Sequence, residues 1–121
     1  KGLESSRRWM DPKGIMISDT VLVPLEDGDR TAELRKAGKT VITIDLNPLS
    51  RTAQTASLTI VDNIVRAMPL LLEETKKLKN IENDILKDMI KRFDNKVNLG
   101  KSLSYIIKRL EKDSVIRVNA Q

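Results

Sequence analysis

The feature that most constrains this chain is a strand–helix–glycine–strand succession in its first half. Thr20-Val21-Leu22-Val23-Pro24-Leu25 is mostly apolar and β-branched, the composition of a strand buried on both faces. Pro24 has no N–H for a ladder, so the strand is expected to end there. Asp29 to Ala37 is rich in good helix formers, and Gly38 follows it as the usual residue just past a helix end. Lys39 to Leu46 is a second β-branched run. A strand, a helix and a strand in this order make one βαβ unit, which implies parallel pairing through a right-handed crossover. Ala56 to Val61 is a third strand. Ser50 is placed to cap a short helix from Arg51 to Thr55 between the second strand and the third.

The second half changes period. Ile64, Ala67, Met68, Leu71, Leu72, Thr75 and Leu78 fall on one helical face, with Pro69 forcing a kink or a restart. Ile81, Ile85, Leu86, Met89, Ile90 and Phe93 make a second stripe, with Asn80 as its expected N-cap. Leu99, Leu103, Ile106, Ile107 and Leu110 make a third after Asn98, with Asn95 to Gly100 read as a polar turn. Val115 to Val118 reads as a final short strand or a docked extension. The expected architecture is therefore α/β: a Rossmann-like parallel sheet core over 1–66, followed by a C-terminal helical region over 67–121. The apolar stripes are expected to form core or a subunit interface.

Composition narrows the chemistry. The 121 residues contain no cysteine and no histidine. Disulfides, Cys-zinc sites, Cys nucleophiles and a Ser-His-Asp triad cannot come from this chain. Trp9, Phe93 and Tyr105 are the only aromatic residues, too few for a base-stacking platform. Trp9, beside Arg7 and Arg8, reads as a packing anchor. No apolar run approaches the length of a membrane span. With no secretory signal and no cysteine, the reading is cytoplasmic, with no membrane partner. The net charge of +5 lies mostly after residue 66. There Lys76, Lys77 and Lys79 alternate with Glu73, Glu74 and Glu82, as on a solvated helix face rather than a nucleic-acid surface. The chain opens on Lys1 instead of Met, which suggests a fragment of something longer.

Three polar clusters follow the three strands: Glu26-Asp27-Gly28-Asp29-Arg30, Asp45 to Thr52, and Asp62-Asn63. In an open parallel sheet, ligands bind outside the carboxyl ends of the strands. Asp45 can accept from ribose hydroxyls, and Arg51 offers a fork of donors for phosphate oxygens. Thr52 adds a hydroxyl, and Asn63 can bond a base edge or a phosphate. Each of these positions has an equally ordinary structural use as a helix cap or turn residue. Neither the dinucleotide glycine fingerprint nor the P-loop is present. Glu26, Asp27 and Asp29 are weak candidates for a metal ion.

The strings VLVPLEDGDR from Val21, GKTVITIDLNPLSRTA from Gly38 and IVDNIVRA from Ile60 resemble the archaeal 4-phosphopantoate–β-alanine ligases, also called phosphopantothenate synthetases. The resemblance covers about 20–67 and is most specific in DLNPLSRTA and VDNIVRA. It implies an AMP-forming, amide-forming ligase of coenzyme A biosynthesis with a Rossmann-like core and a homodimeric assembly. Its substrates would be ATP, 4-phosphopantoate and β-alanine, with Mg2+ accompanying the nucleotide. The family's ATP contacts fall on Asp45, Leu46, Asn47, Arg51, Thr52, Asn63 and Ile64. The family's proteins are longer, and the match is to their C-terminal half. The resemblance therefore implies that this chain is the ATP-binding half, inactive in ligation by itself. The alternative reading is a non-catalytic α/β nucleotide- or phosphate-binding module with a basic helical arm for a partner or nucleic acid.

Overall fold

The computed structural model describes residues 13–113. The segment with Trp9 and the Val115–Val118 segment lie outside the described residues. Three strands, β1 (Thr20–Val23), β2 (Thr40–Ile44) and β3 (Leu58–Ile60), form one sheet in the order β1-β2-β3. Both pairings are parallel, with Val21 opposite Val41 and Thr43 opposite Thr59. Helix α1 (Gly28–Lys36) connects β1 to β2, and α2 (Arg51–Thr55) connects β2 to β3. The expected βαβ unit is present, and β1 stops one residue before Pro24.

Local chemistry explains these boundaries. The Asp27 side chain caps α1 by accepting from the Arg30 N–H at 3.0 Å. Past the end of α1, Gly38 takes φ +81, a conformation that glycine adopts without a steric cost. Ser50 caps α2 as expected, accepting from the Ala53 N–H at 2.9 Å. Beyond α2, Ser57 replaces a ladder partner: its N–H donates to the Val41 carbonyl and its Oγ accepts from the Val41 N–H. That detour delays β3 to Leu58, two residues later than the apolar run begins.

The two sheet faces differ. Val21, Val23, Val41, Thr43 and Thr59 share one face by their register. Helices α1 and α2 pack against each other, and Leu34 of α1 forms the core with Val41 and Ala56. Leu34, Val41 and Ala53 are essentially removed from solvent. The other face carries Leu22, Ile42, Ile44, Leu58 and Ile60; Ile44 is buried, Ile42, Leu58 and Ile60 are partly covered, and Leu22 is exposed. Parallel sheets are normally covered on both sides.

Three helices follow: α3 (Ile64–Leu78), α4 (Asn83–Arg92) and α5 (Asn95–Lys112). Helix α3 continues through Pro69 without restarting, and two other expectations need correction. The carbonyl that Pro69 leaves unbonded belongs to Val65, which is 83% exposed, so water can take it. Asn80 caps nothing; α4 starts after Glu82, without a side-chain cap bond. Asn95 to Gly100 is not a turn but the start of α5, because Asp94 caps that helix by accepting from the Lys96 and Val97 N–H groups.

The Asn95 and Asn98 side chains fasten α5 to the sheet. Asn95 Oδ1 accepts from the Thr59 N–H at 2.9 Å, and Asn98 Nδ2 donates to the Thr59 carbonyl at 2.8 Å. Asn95 Nδ2 also reaches the carbonyls of Ala53 and Ala56 at 3.1 and 3.2 Å. These bonds occupy the outer edge of β3, where a further strand would otherwise pair. The apolar stripes of α3 and α4 behave differently. Ala67 is the single buried residue of α3, and α4 has none. The stripes therefore do not form core within the described residues.

Candidate functional site

Parallel pairing of three neighbours brings the segments after β1, β2 and β3 to one edge, as the polar clusters require. The middle segment is the most organised. One Asp45 carboxylate oxygen accepts from the Asn47 N–H at 2.9 Å. The other accepts a short hydrogen bond from the Ser50 hydroxyl. Asn47 Oδ1 in turn accepts from the Leu49 N–H at 2.9 Å. Asp45 thus shapes its own loop, while the backbone of Asp45 is tied across to β3 through the Ile60 carbonyl at 3.0 Å. Pro48 is buried below the loop, and Leu46 and Asn47 project above it, exposed.

Arg51 and Thr52, neighbours in α2, face opposite ways. Arg51 is exposed and its guanidinium meets Asp29 of α1. Thr52 is fully buried, and its Oγ1 accepts from the Asp27 N–H at 3.1 Å. Thr52 therefore ties the acidic loop to α2, and its hydroxyl does not face solvent. Asn63 caps α3 by accepting from the Arg66 N–H at 2.8 Å, and its own N–H donates to Asp62 Oδ1. Ile64 opens the helix with its side chain partly exposed.

The carboxylates of the acidic loop do not come together. Among the described residues, no group of three or more acidic side chains comes together to hold an ion. Asp27 is a helix cap and Asp29 pairs with Arg51, so Glu26, Asp27 and Asp29 do not converge.

Elsewhere, the basic residues of the helices sit among carboxylates. Lys77 lies 3.1 Å from Glu74, and Arg92 lies 3.0 Å from Asp88. This is the mixed-sign, solvated face expected from the sequence. An open groove with Lys101, Tyr105 and Lys108 on its walls is built entirely from α5 and shares no residue with the strand ends.

The strand ends were legible because each carries polar residues straight after an apolar run. Asn95 and Asn98 were missed. The sequence signal for them is Asp94, a cap residue placed just before them.

The sequence profile of the phosphopantothenate/pantothenate synthetase family matches residues 1–109. Curated relatives named 4-phosphopantoate–β-alanine ligase are 49% identical over 109 residues in Thermococcus kodakarensis and 50% identical over 111 residues in Thermococcus onnurineus. A Methanosarcina mazei protein of the same name is 47% identical over 109 residues. These matches take in 90–92% of this chain but only 42–43% of each relative.

Proposed function

Because the chain belongs to the phosphopantothenate/pantothenate synthetase family, we propose that it is the ATP-binding part of a ligase joining 4-phosphopantoate to β-alanine, with release of AMP and diphosphate. The observation that carries this reading is the shared edge: Asp45 to Asn47, Arg51 and Asn63 follow neighbouring parallel strands.

On this reading the strand-end loops hold the nucleotide. The pantoate carboxylate attacks the α-phosphorus, and diphosphate leaves. The β-alanine amine then attacks the acyl carbon of the mixed anhydride, and AMP leaves with the bridging oxygen. Neither step needs a protein nucleophile, which suits a chain without histidine or cysteine. Catalysis rests on positioning and on stabilising phosphoryl charge. Arg51 serves the phosphates, with five fixed donors and a permanent charge. Asp45 has both oxygens engaged by its own loop, so it presents its remaining lone pairs to ribose hydroxyls from a fixed position. Leu46 and Ile64 supply apolar contact for the base, Asn63 a polar one, and Thr52 fixes the acidic loop against α2 through the Asp27 N–H. Mg2+ would arrive with the triphosphate; the acidic residues here do not form a cage for it.

Residues 1–66 would form the nucleotide-binding core and 67–121 an arm for assembly. A homodimer through the exposed apolar faces of α3 to α5 fits that arm. The half-covered sheet face is where we place the rest of the ligase. ATP and phosphorylated substrates point to the cytoplasm.

The test is AMP release. A protein that carries this sequence at the full length of its relatives is expected to release AMP only with both 4-phosphopantoate and β-alanine present. Arg51→Ala in that protein should lower kcat/KM for ATP by about a hundredfold, the scale of one lost charge-stabilising donor. AMP release without amide formation would overturn the ligase reading.

A further inference from the structure

Arg51 is held at both ends by two consecutive residues of α1. Its aliphatic stem lies against Gly28. A Cβ built on Gly28 would stand 3.1 Å from Arg51 Cδ, 3.2 Å from Cγ and 3.3 Å from Cβ. Contacts that tight are uncommon, so a side chain at this position would have to displace the stem. Its guanidinium ends on the next residue, with Nη1 2.5 Å from Asp29 Oδ1. The residue before completes the grip, since the Asp27 N–H donates to Thr52 Oγ1. Asp27, Gly28 and Asp29 therefore hold Arg51 and Thr52 at three successive positions.

The backbone does not require this glycine. Gly28 is the first residue of a regular helix, and the positive-φ glycine of the described residues is Gly38. A helix position favours alanine over glycine. What an alanine would disturb here is the approach of Arg51.

The Asp29 contact is of a different kind. The two side chains are 65% and 78% exposed. Ion pairs this open to water contribute little to stability. Asp29 can direct the guanidinium, yet it cannot hold it against a stronger anion. A phosphate offers more charge and several oxygens to the same fork of donors.

We propose that Gly28 and Asp29 are positioning residues for Arg51: Gly28 seats its stem, and Asp29 is a provisional counter-ion that the phosphates of the nucleotide displace. The proposal rests on the nucleotide reading above. It gives Asp29 the opposite sign from a metal ligand. A displaced carboxylate beside phosphates competes and repels, so its removal strengthens phosphate binding. Removal of a metal ligand would weaken binding, and only when the metal is present.

The experiment is calorimetric titration of ATP into the protein at the full length of its relatives and into its Gly28→Ala, Asp29→Asn, Arg51→Ala and Asp29→Asn/Arg51→Ala variants, once in EDTA and once in Mg2+. Gly28→Ala is expected to weaken binding by about tenfold, the scale of a lost charge-assisted contact. Asp29→Asn should tighten it by about threefold in both conditions, as expected for removing one like charge beside an anion. That gain should vanish in the Arg51→Ala background. Thermal melting accompanies each variant: weaker binding at an unchanged melting temperature separates positioning from folding. If Gly28→Ala does not fold, Asp29→Asn and its dependence on Arg51 decide the matter. Unchanged affinity in both single variants would overturn the seat and counter-ion alone. Weaker binding of Asp29→Asn confined to Mg2+ would make Asp29 a metal ligand and overturn the proposal. Failure of that unmodified full-length protein to bind ATP would overturn the nucleotide reading, and the proposal with it.

Discussion

The strand-end edge and the helical arm are built from similar amounts of apolar sequence and end in opposite states. On the sheet face that α1 and α2 cover, apolar residues are buried, and at the strand ends polar ones are bonded to each other: Leu34 and Val41 are sealed, and Asp45, Ser50 and Thr52 each have a partner. On α3 and α4 the apolar stripe faces water, with Ile90 74% exposed and Leu72 57% exposed. Amphipathic helices gain most of their stability from burying such a face. The core is therefore organised by this chain's own contacts, whereas the apolar face of the arm is left uncovered by the described residues. Asn95 and Asn98 stand at the join, since they use the polar edge of β3 to anchor the start of α5.

Substitutions sharpen this contrast. The largest effect is expected in the core: Leu34→Ala should cost about 3 kcal/mol, read as a lowered urea midpoint, because the site lies among packed neighbours with little room to collapse. Asn95→Ala comes next, at about 2 kcal/mol, since it removes the partner of the Thr59 N–H and of the Ala56 carbonyl. Its loss should also speed hydrogen exchange at Thr59. Ser50→Ala should cost about 1 kcal/mol through the lost cap and should loosen the Asp45 loop. On the arm, Ile90→Ser should change the unfolding midpoint by less than about 0.5 kcal/mol, as for other exposed positions. Its expected effect is on self-association, measured by sedimentation across a concentration series. An arm substitution that destabilised the chain as much as Leu34→Ala would erase the distinction between the two regions.

The contrast also explains what the sequence disclosed. The βαβ unit was readable because apolar β-branched runs, helix formers and Gly38 all point to the same answer locally. The Ser50 cap and the end of β1 at Pro24 followed from single residues with one dominant preference. The start of α5 did not, because Asp94, Asn95 and Asn98 are all good caps. Only the tertiary bonds to Thr59 decide among them. At Pro69 the helix continues instead of restarting, because an exposed turn can leave a carbonyl to water. At the candidate site, the residue types and their common edge were visible in advance. The opposite orientations of Arg51 and Thr52 were not, nor was the contact of Arg51 with Gly28 and Asp29. Those depend on how α1 and α2 pack.

The central claim is that nucleotide chemistry belongs to the strand-end edge and assembly belongs to the arm. Titrating ATP into isotope-labelled protein and following backbone amide signals tests it most directly. The account predicts shifts concentrated at Asp45 to Arg51, Asn63 and Ile64, with the α4 amides from Asn83 to Arg92 unmoved. Shifts centred on Lys101 and Lys108 of α5, with the strand ends silent, would contradict it.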